Sequence, residues 1–298
     1  MRDIWKPCVI FKAATGGLGG YNQPEGNVGM LQRTLIGVLL VGLFVAMLVF
    51  GPAVQAIVFT VGGIIAVHEM KNAFSQKGYK LFLVPVYAFA GLFGLWQLLL
   101  PGLGWLLPFV VLTLIIMAEH VLNVRRTLTE CFLSMVIMVY PLLLLALLLQ
   151  LGLMEYLGIT ALLLAFACPL LGDTLAYFVG SAIGKRPLNP KISPKKTVEG
   201  SIASCFGSML AGIAVYFLQF IWAQELILPF WICLIIGLLC GFFGQVGDLF
   251  ASSIKRWAQI KDFSRLLPGH GGVLDRVDSV LFCVPVVYAC TMLYLFFG

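Results

Sequence analysis

Charge is what this sequence has least of. Only 11% of its 298 residues are Asp, Glu, Lys or Arg, while 61% are hydrophobic and the mean hydropathy is +1.02. Soluble domains carry about 25% charged and 45–50% apolar residues, so an ordinary soluble globule is excluded. No polar segment is long enough to build a separate soluble core, which argues for one integral domain. The eight cysteines show no metal-ligand spacing, and Cys131, Cys168, Cys205, Cys240, Cys283 and Cys290 lie inside apolar runs. They read as small helix hydrophobes, not as zinc ligands or disulfide partners. Residues 1–29 lack the apolar core of a signal peptide and are Gly-rich from Gly16 to Gly29. A disordered tail or an upstream mis-started extension is expected there, with the integral domain over 30–298.

What recurs instead is the apolar run of about 20 residues, the mark of a polytopic helical membrane protein. An all-α fold of about nine spans is expected, roughly over 33–50, 53–68, 81–100, 104–122, 131–150, 157–180, 201–221, 228–248 and 278–297. The second is short on strict apolarity and can extend through Glu69 and Met70 toward Phe74.

The nineteen Lys and Arg residues decide the orientation. Four lie at or before Arg33, three at Lys71, Lys77 and Lys80, and two at Arg125 and Arg126. Five fall between Lys185 and Lys196, and five between Lys255 and Arg276. With nine spans all of them lie on one side, and the connections near Pro52, Pro101, Gly152 and Glu225 contain none. The positive-inside rule then puts the N-terminus in the cytoplasm and the C-terminus outside. The expected location is the cell membrane, multi-pass, with any chemistry facing the cytoplasm. The net charge of +6 belongs to that face and suits anionic headgroups and nucleotides. The outer connections leave no room for an external domain.

The stretch 252–278 packs five cations, three carboxylates and a Gly-flanked His between two apolar runs. Charge beside a bilayer is costly unless paired, wet or binding something. Carboxylates for a divalent metal and cations for phosphates point to phosphoryl or nucleotidyl transfer. Asp248, Ser252 and Lys255 are spaced i, i+4, i+7 and share a face if the eighth span continues. A helix-end Asp248 paired with Lys255 is the plainer reading. Asp275 and Asp278 share a face where the ninth span begins, and capping accounts for one of them. With Asp248 they supply ligands for a hard cation such as Mg²⁺, provided the 249–277 loop folds back. In Gly269-His270-Gly271-Gly272 the backbone N–H groups can approach an anion, with His270 either contacting phosphate or shaping the turn.

A second loop, 184–200, is held extended by Pro187, Pro190 and Pro194. Lys195 and Lys196 are available there to a triphosphate or headgroup, with Ser193 and Thr197 as added donors. A positive-inside anchor loop would need the lysines but not that frame. Asp173 lies roughly two turns inside the sixth span, where a carboxylate costs about 2.5–3.5 kcal/mol and needs a partner or a wet cavity. With Thr174 and Tyr177 it reads as a pocket wall. Glu69, Glu119 and His120 read as simple interface residues or weak site candidates.

These residues resemble one known family. Ser252, Lys255-Arg256, Lys261-Asp262, Ser264, Leu267-Pro268, His270-Gly271-Gly272, Asp275-Arg276 and Asp278 fit the motif of the phosphatidate cytidylyltransferases, or CDP-diacylglycerol synthases, at every fixed position. Ser193-Pro194-Lys195-Lys196-Thr197 with Glu199-Gly200, and Asp173 in Asp-Thr-Leu-Ala-Tyr, are similar to other segments of that family. The resemblance covers 30–298. It implies that CTP and phosphatidic acid give CDP-diacylglycerol and pyrophosphate, with Mg²⁺ at a centre of Asp248, Asp275 and Asp278 and a monovalent cation such as K⁺ as a second ion. Lys255 and Arg256 join those acids in the chemistry. Lys195, Lys196, Lys261 and Arg276 hold phosphates, Ser193, Ser252, His270, Gly271 and Gly272 shape the site, and Asp173 lines its wall. The expected partners are the two substrates and membrane lipid; a homodimer is compatible with this, and nucleic acid is not expected.

A phosphomonoester with a second pKa of about 6–7 is already largely an oxyanion, so no strong base is required and the scarcity of His is no objection. The barrier lies in bringing two anions together, which metal and cationic clamps address. Two other readings compete. One is a polytopic transferase or kinase acting on polyprenyl or dolichyl phosphates with CTP, which substrate swaps would separate. The other is a secondary transporter with Asp173 on an ion path, against which stand the clustering of acids on one face and the lack of an inverted repeat.

Overall fold

The computed structural model describes residues 30–100, 102–123, 126–223, 227–269 and 271–297. The expected tail over 1–29, together with Arg125, Glu225 and His270, lies outside the described residues. The chain forms α1 (Met30–Phe50), α2 (Pro52–Ser75), α3 (Val84–Leu99), α4 (Leu106–Leu122), α5 (Leu128–Ile137), α6 (Leu144–Gly152), α7 (Gly158–Ile183), α8 (Val198–Leu218), α9 (Phe230–Ala258) and α10 (Leu274–Phe297). A small antiparallel hairpin, β1 (Pro187–Asn189) and β2 (Ser193–Thr197), interrupts the otherwise helical fold. Among the described residues, six helical segments are long and apolar enough to cross a membrane. Leu, Val and Phe side chains cover their outer faces, as in Val38, Val49, Leu107 and Phe206. That surface suits a hydrocarbon solvent, in which backbone polar groups must be satisfied within the helices.

Two elements depart from the hydropathy reading. The expected single helix over 131–150 is broken by a π-helical turn, Met138–Leu143, in which Tyr140 leaves helical dihedrals (φ −118°, ψ 96°). Pro141 has no N–H to continue the ladder, so an apolar run of helical length is not one regular helix. Helix α9 runs on past Asp248 to Ala258, with Lys255 and Arg256 in its last turn, where cations complement the helix dipole. It stops at Gln259, which takes the left-handed conformation (φ 61°).

Helices α7 to α10 pack closely because small residues line their seams. A Cβ added to Gly207 would lie 2.8 Å from the Leu171 carbonyl oxygen, and one on Gly237 2.5 Å from that of Ser208. Any side chain there would wedge the helices apart, the usual reason for glycine at membrane helix contacts. Polar side chains pin the same seams. Ser208 Oγ donates to the Cys168 carbonyl (2.7 Å), and Gln245 Nε2 to those of Ser201 (3.0 Å) and Gly241 (2.6 Å). Helix α3 is fixed in the same way by Gln97 Nε2 donating to the Ala146 carbonyl (2.9 Å).

The cation-bearing connections meet at one end of the bundle. Tyr79, before α3, stacks on Trp257 at the end of α9, with ring centroids 6.0 Å apart. Lys80 N donates to Glu130 Oε1 (2.8 Å), and the Lys80 carbonyl accepts from Arg126 Nη1 (2.7 Å). Arg256 Nε donates across to the Ile192 carbonyl in the hairpin (3.3 Å). Among the described residues, the cation-bearing connections between helices are therefore clustered in space.

Candidate active site

At that end α7, α8, α9 and the hairpin enclose a cleft of about 570 Å³, lined among others by Asp173, Tyr177, Ser193, Lys195, Lys196 and Asp248. Local chemistry sets the hairpin in place. Thr197 is the N-cap of α8, its hydroxyl accepting from Gly200 N (3.1 Å), and the Glu199 carboxylate accepts from Lys185 N (3.1 Å) and Arg186 N (3.3 Å). With both ends tied, β2 carries Ser193, Lys195 and Lys196 along the cleft wall.

The acids come from three helices. Asp248 of α9 forms an ion pair with Lys196 and accepts from Ser252 Oγ (3.3 Å). Asp278 of α10 is 7% exposed, and its Oδ1 accepts from Ser279 N (2.7 Å). Ser279 Oγ donates in turn to Oδ2 of Asp173 on α7 (3.4 Å). Asp248 lies near enough to bear electrostatically on both Asp173 and Asp278. Asp248, ten residues before the end of α9, and Asp278, one turn into α10, thus lie within electrostatic range of each other, with Asp173 as their third neighbour. Among the described residues no three His, Cys, Asp or Glu side chains stand close enough to make a ready metal-binding group.

Asp275 faces a different task. Its Oδ1 accepts from Lys255 Nζ (2.6 Å) and its Oδ2 from Phe263 N (2.9 Å) and Gly272 N (3.0 Å), and its side chain is 3% exposed. Lys255 therefore pairs with Asp275, and Asp248 with Lys196, which sets aside the plainer reading of an Asp248–Lys255 pair. The loop between α9 and α10 does fold back, and this carboxylate holds it. The Gly271 N–H is taken by the Leu267 carbonyl (3.0 Å) and the Gly272 N–H by the Asp275 carboxylate, so neither is directed at a substrate anion.

Glu69 of α2, 1% exposed, is the second clamp on this loop. It accepts from Ser264 Oγ (2.6 Å), Val273 N (2.9 Å) and Leu274 N (2.8 Å). It is thus an anion at the N-terminus of α10 supplied from about 200 residues away. Gly272 is required by that approach, since a Cβ there would fall 2.6 Å from Glu69 Oε1. Gly272→Ala is expected to cost about 1–3 kcal/mol by overpacking. It should lower the unfolding temperature, with partial recovery on adding Glu69→Asp, whose shorter side chain makes room.

Lys195, Arg256, Lys261 and Arg276 lie exposed at the same end, and His270 is outside the described residues. Sequence reasoning undervalued Glu69 and missed Ser279. The insertion-cost argument used for Asp173 applies equally to a carboxylate late in the second span. Ser279 carries no such signal.

Fold and site together define an integral membrane protein built around an acid–lysine cleft, a chemistry suited to phosphate groups. The chain belongs to the cytidylyltransferase family, whose sequence model matches residues 31–294. It is 32% identical over 280 residues to a phosphatidate cytidylyltransferase of Bacillus subtilis (strain 168), covering 90% of this chain and 99% of that protein. It is 44% identical over 131 residues to one of Staphylococcus aureus (strain COL), covering 44% of this chain and 48% of the relative. A third, from Synechocystis, is 43% identical over 141 residues, covering 46% and 45% respectively.

Proposed function

We propose that this protein is a phosphatidate cytidylyltransferase, joining CTP and phosphatidic acid into CDP-diacylglycerol with release of pyrophosphate. The observation that carries the reading is the convergence of Lys196, Asp248, Asp173 and Asp278, from one hairpin and three helices, at the cation-bearing end. The three shorter apolar helices, Thr34–Phe50, Val84–Leu99 and Leu106–Leu122, complete nine spans in this proposal. The cation-bearing end then faces the cytoplasm of a cell membrane by the positive-inside rule.

In the reaction an oxygen of the lipid phosphate attacks the α-phosphorus of CTP. A new P–O bond forms, the bond from that phosphorus to the oxygen bridging the β-phosphorus breaks, and pyrophosphate leaves with its electron pair. Lys195 and Lys196 take phosphate oxygens, Lys196 exchanging its carboxylate partner for the substrate. Lys255 stays with Asp275 and keeps the loop closed, while Arg256, Lys261 and Arg276 supply positive potential at the rim.

By donor type, though among the described residues not as a preassembled group, the acids fit Mg²⁺. Asp248, Asp278 and Asp173 offer carboxylate oxygens only, which a hard cation takes while keeping its other positions for water and phosphate. Asp248 already holds a cationic partner in Lys196. When bound, Mg²⁺ neutralises the phosphate oxygens and the departing pyrophosphate. K⁺ is the monovalent companion in this reading. A ligand role for Asp275 would require it to release Lys255, Phe263 and Gly272 together, so we assign it to the loop.

The test is purified protein with labelled CTP, phosphatidic acid and Mg²⁺, read as lipid-linked CMP and free pyrophosphate. EDTA is expected to abolish both products and added Mg²⁺ to restore them. Turnover that is indifferent to EDTA would remove the metal from the mechanism, and no turnover with Mg²⁺ present would remove the reaction.

A further inference from the structure

On the other side of α9 from the polar cleft lies an apolar groove of about 590 Å³, bounded by the α5–α6 break, α9 and α10. Leu239, Phe243 and Phe250 line it from one face of α9, turned away from the Gln245 and Asp248 side. Its α10 wall, Phe282, Val286 and Ala289, continues the stripe that begins with Asp275 and Asp278. One helix face therefore runs from acid to oil without interruption.

Tyr140 stands where the two meet. Its ring lines the groove and packs edge-on against Phe250 (centroids 4.9 Å) and Phe282 (5.9 Å). The residue is 4% exposed, and its hydroxyl is a buried polar atom with no hydrogen-bond partner. The charges that bear on that hydroxyl are Asp278, Asp275 and Asp248, strongest first. A buried phenol without a partner is costly, and its placement before the acids of the proposed metal centre, beside which the reacting phosphates would lie, gives it a use on substrate binding.

We propose that this groove seats one acyl chain of the lipid substrate, with the Tyr140 hydroxyl donating to the phosphate end of the same molecule. The inference rests on the reading above that the lipid is phosphatidic acid, and it adds that the chain is gripped by the protein. A substrate half phosphate and half hydrocarbon needs polar and apolar surfaces that adjoin, and Asp278 is the point at which they do. Ser279 joins it to Asp173 of the cleft, and the α10 stripe joins it to the groove.

Ala289 is exposed on the groove wall, so Ala289→Trp fills the groove without entering the packed core. It should lower the ratio of kcat/KM for dioleoyl over dihexanoyl phosphatidic acid at least five-fold. Tyr140→Phe keeps the ring and should raise KM for phosphatidic acid about ten-fold, moving KM for CTP much less. A measurement that needs no variant is photolabelling of the parent protein in vesicles with phosphatidic acid carrying a diazirine in one acyl chain. Labels on Leu239, Val286 or Ala289 that an excess of unlabelled phosphatidic acid displaces support the seat. An unchanged chain-length ratio, labels spread over the outer helix faces, or labelling that the excess does not displace would each overturn it. If the parent fails to turn phosphatidic acid over, the reaction assignment falls, and the photolabelling still decides the groove.

Discussion

Asp248→Asn and Asp278→Asn are each expected to reduce CMP transfer by about 10³-fold or more, roughly 4 kcal/mol of transition-state stabilisation. Both replacements keep the shape of the side chain, so the effect is one of charge. In Asp278→Asn the amide oxygen still serves Ser279 N, the only backbone donor bonded to Asp278 among the described residues. In Asp248→Asn the one remaining amide oxygen can serve Ser252 Oγ or the Lys196 ammonium, whose Nζ is buried. Insertion and helical content should therefore match the parent, measured by size-exclusion profile and circular dichroism. Turnover within a few-fold of the parent in either variant would take that residue out of the reacting centre.

Six long apolar helices and the meeting of the described cation-bearing connections at one end were legible because both follow from solvation. A run of apolar residues has one stable disposition in a bilayer, and nineteen cations cannot be distributed at random across it. The proximity of the acids at 248 and 278 was legible because charge near hydrocarbon demands a partner or a task. The separation of Asp275 from Asp278 was not. Two carboxylates three apart on one helix look alike in sequence, and only the path of the loop decides that Asp275 meets Phe263, Gly272 and Lys255. The break at Tyr140 was hidden for a related reason. Hydropathy measures how apolar a segment is, not whether its backbone hydrogen bonds continue, and Pro141 was passed over in a run otherwise rich in Leu. Glu69 was discounted because its partners are distant in sequence and offer backbone N–H groups, which no residue pattern records.

That carboxylate supports the second large effect. Glu69→Ala would leave the buried N–H of Leu274, the part-buried N–H of Val273 and the Ser264 hydroxyl without their acceptor. Each orphaned buried group costs about 1–3 kcal/mol, and α10 would lose the anion that complements its dipole. Counted at the low end of that range, since Val273 and Ser264 are only part-buried, the three groups and the dipole give a stability loss of roughly 3–5 kcal/mol. Asp278 sits one turn further along α10, so freeing the start of that helix displaces an acid of the proposed centre. A shift of about 1 Å in a positioned group can cost 10²-fold in rate. The expected result for Glu69→Ala is therefore a marked fall in unfolding temperature together with a kcat about 100-fold below the parent. Glu69→Gln, which keeps one oxygen acceptor, should lie between the two in both measures. Glu69 touches no substrate in this account, so KM for CTP should move less than kcat. Parent-like kcat and unfolding temperature in Glu69→Ala would mean that the α9–α10 loop holds its shape through Asp275 and Lys255 alone.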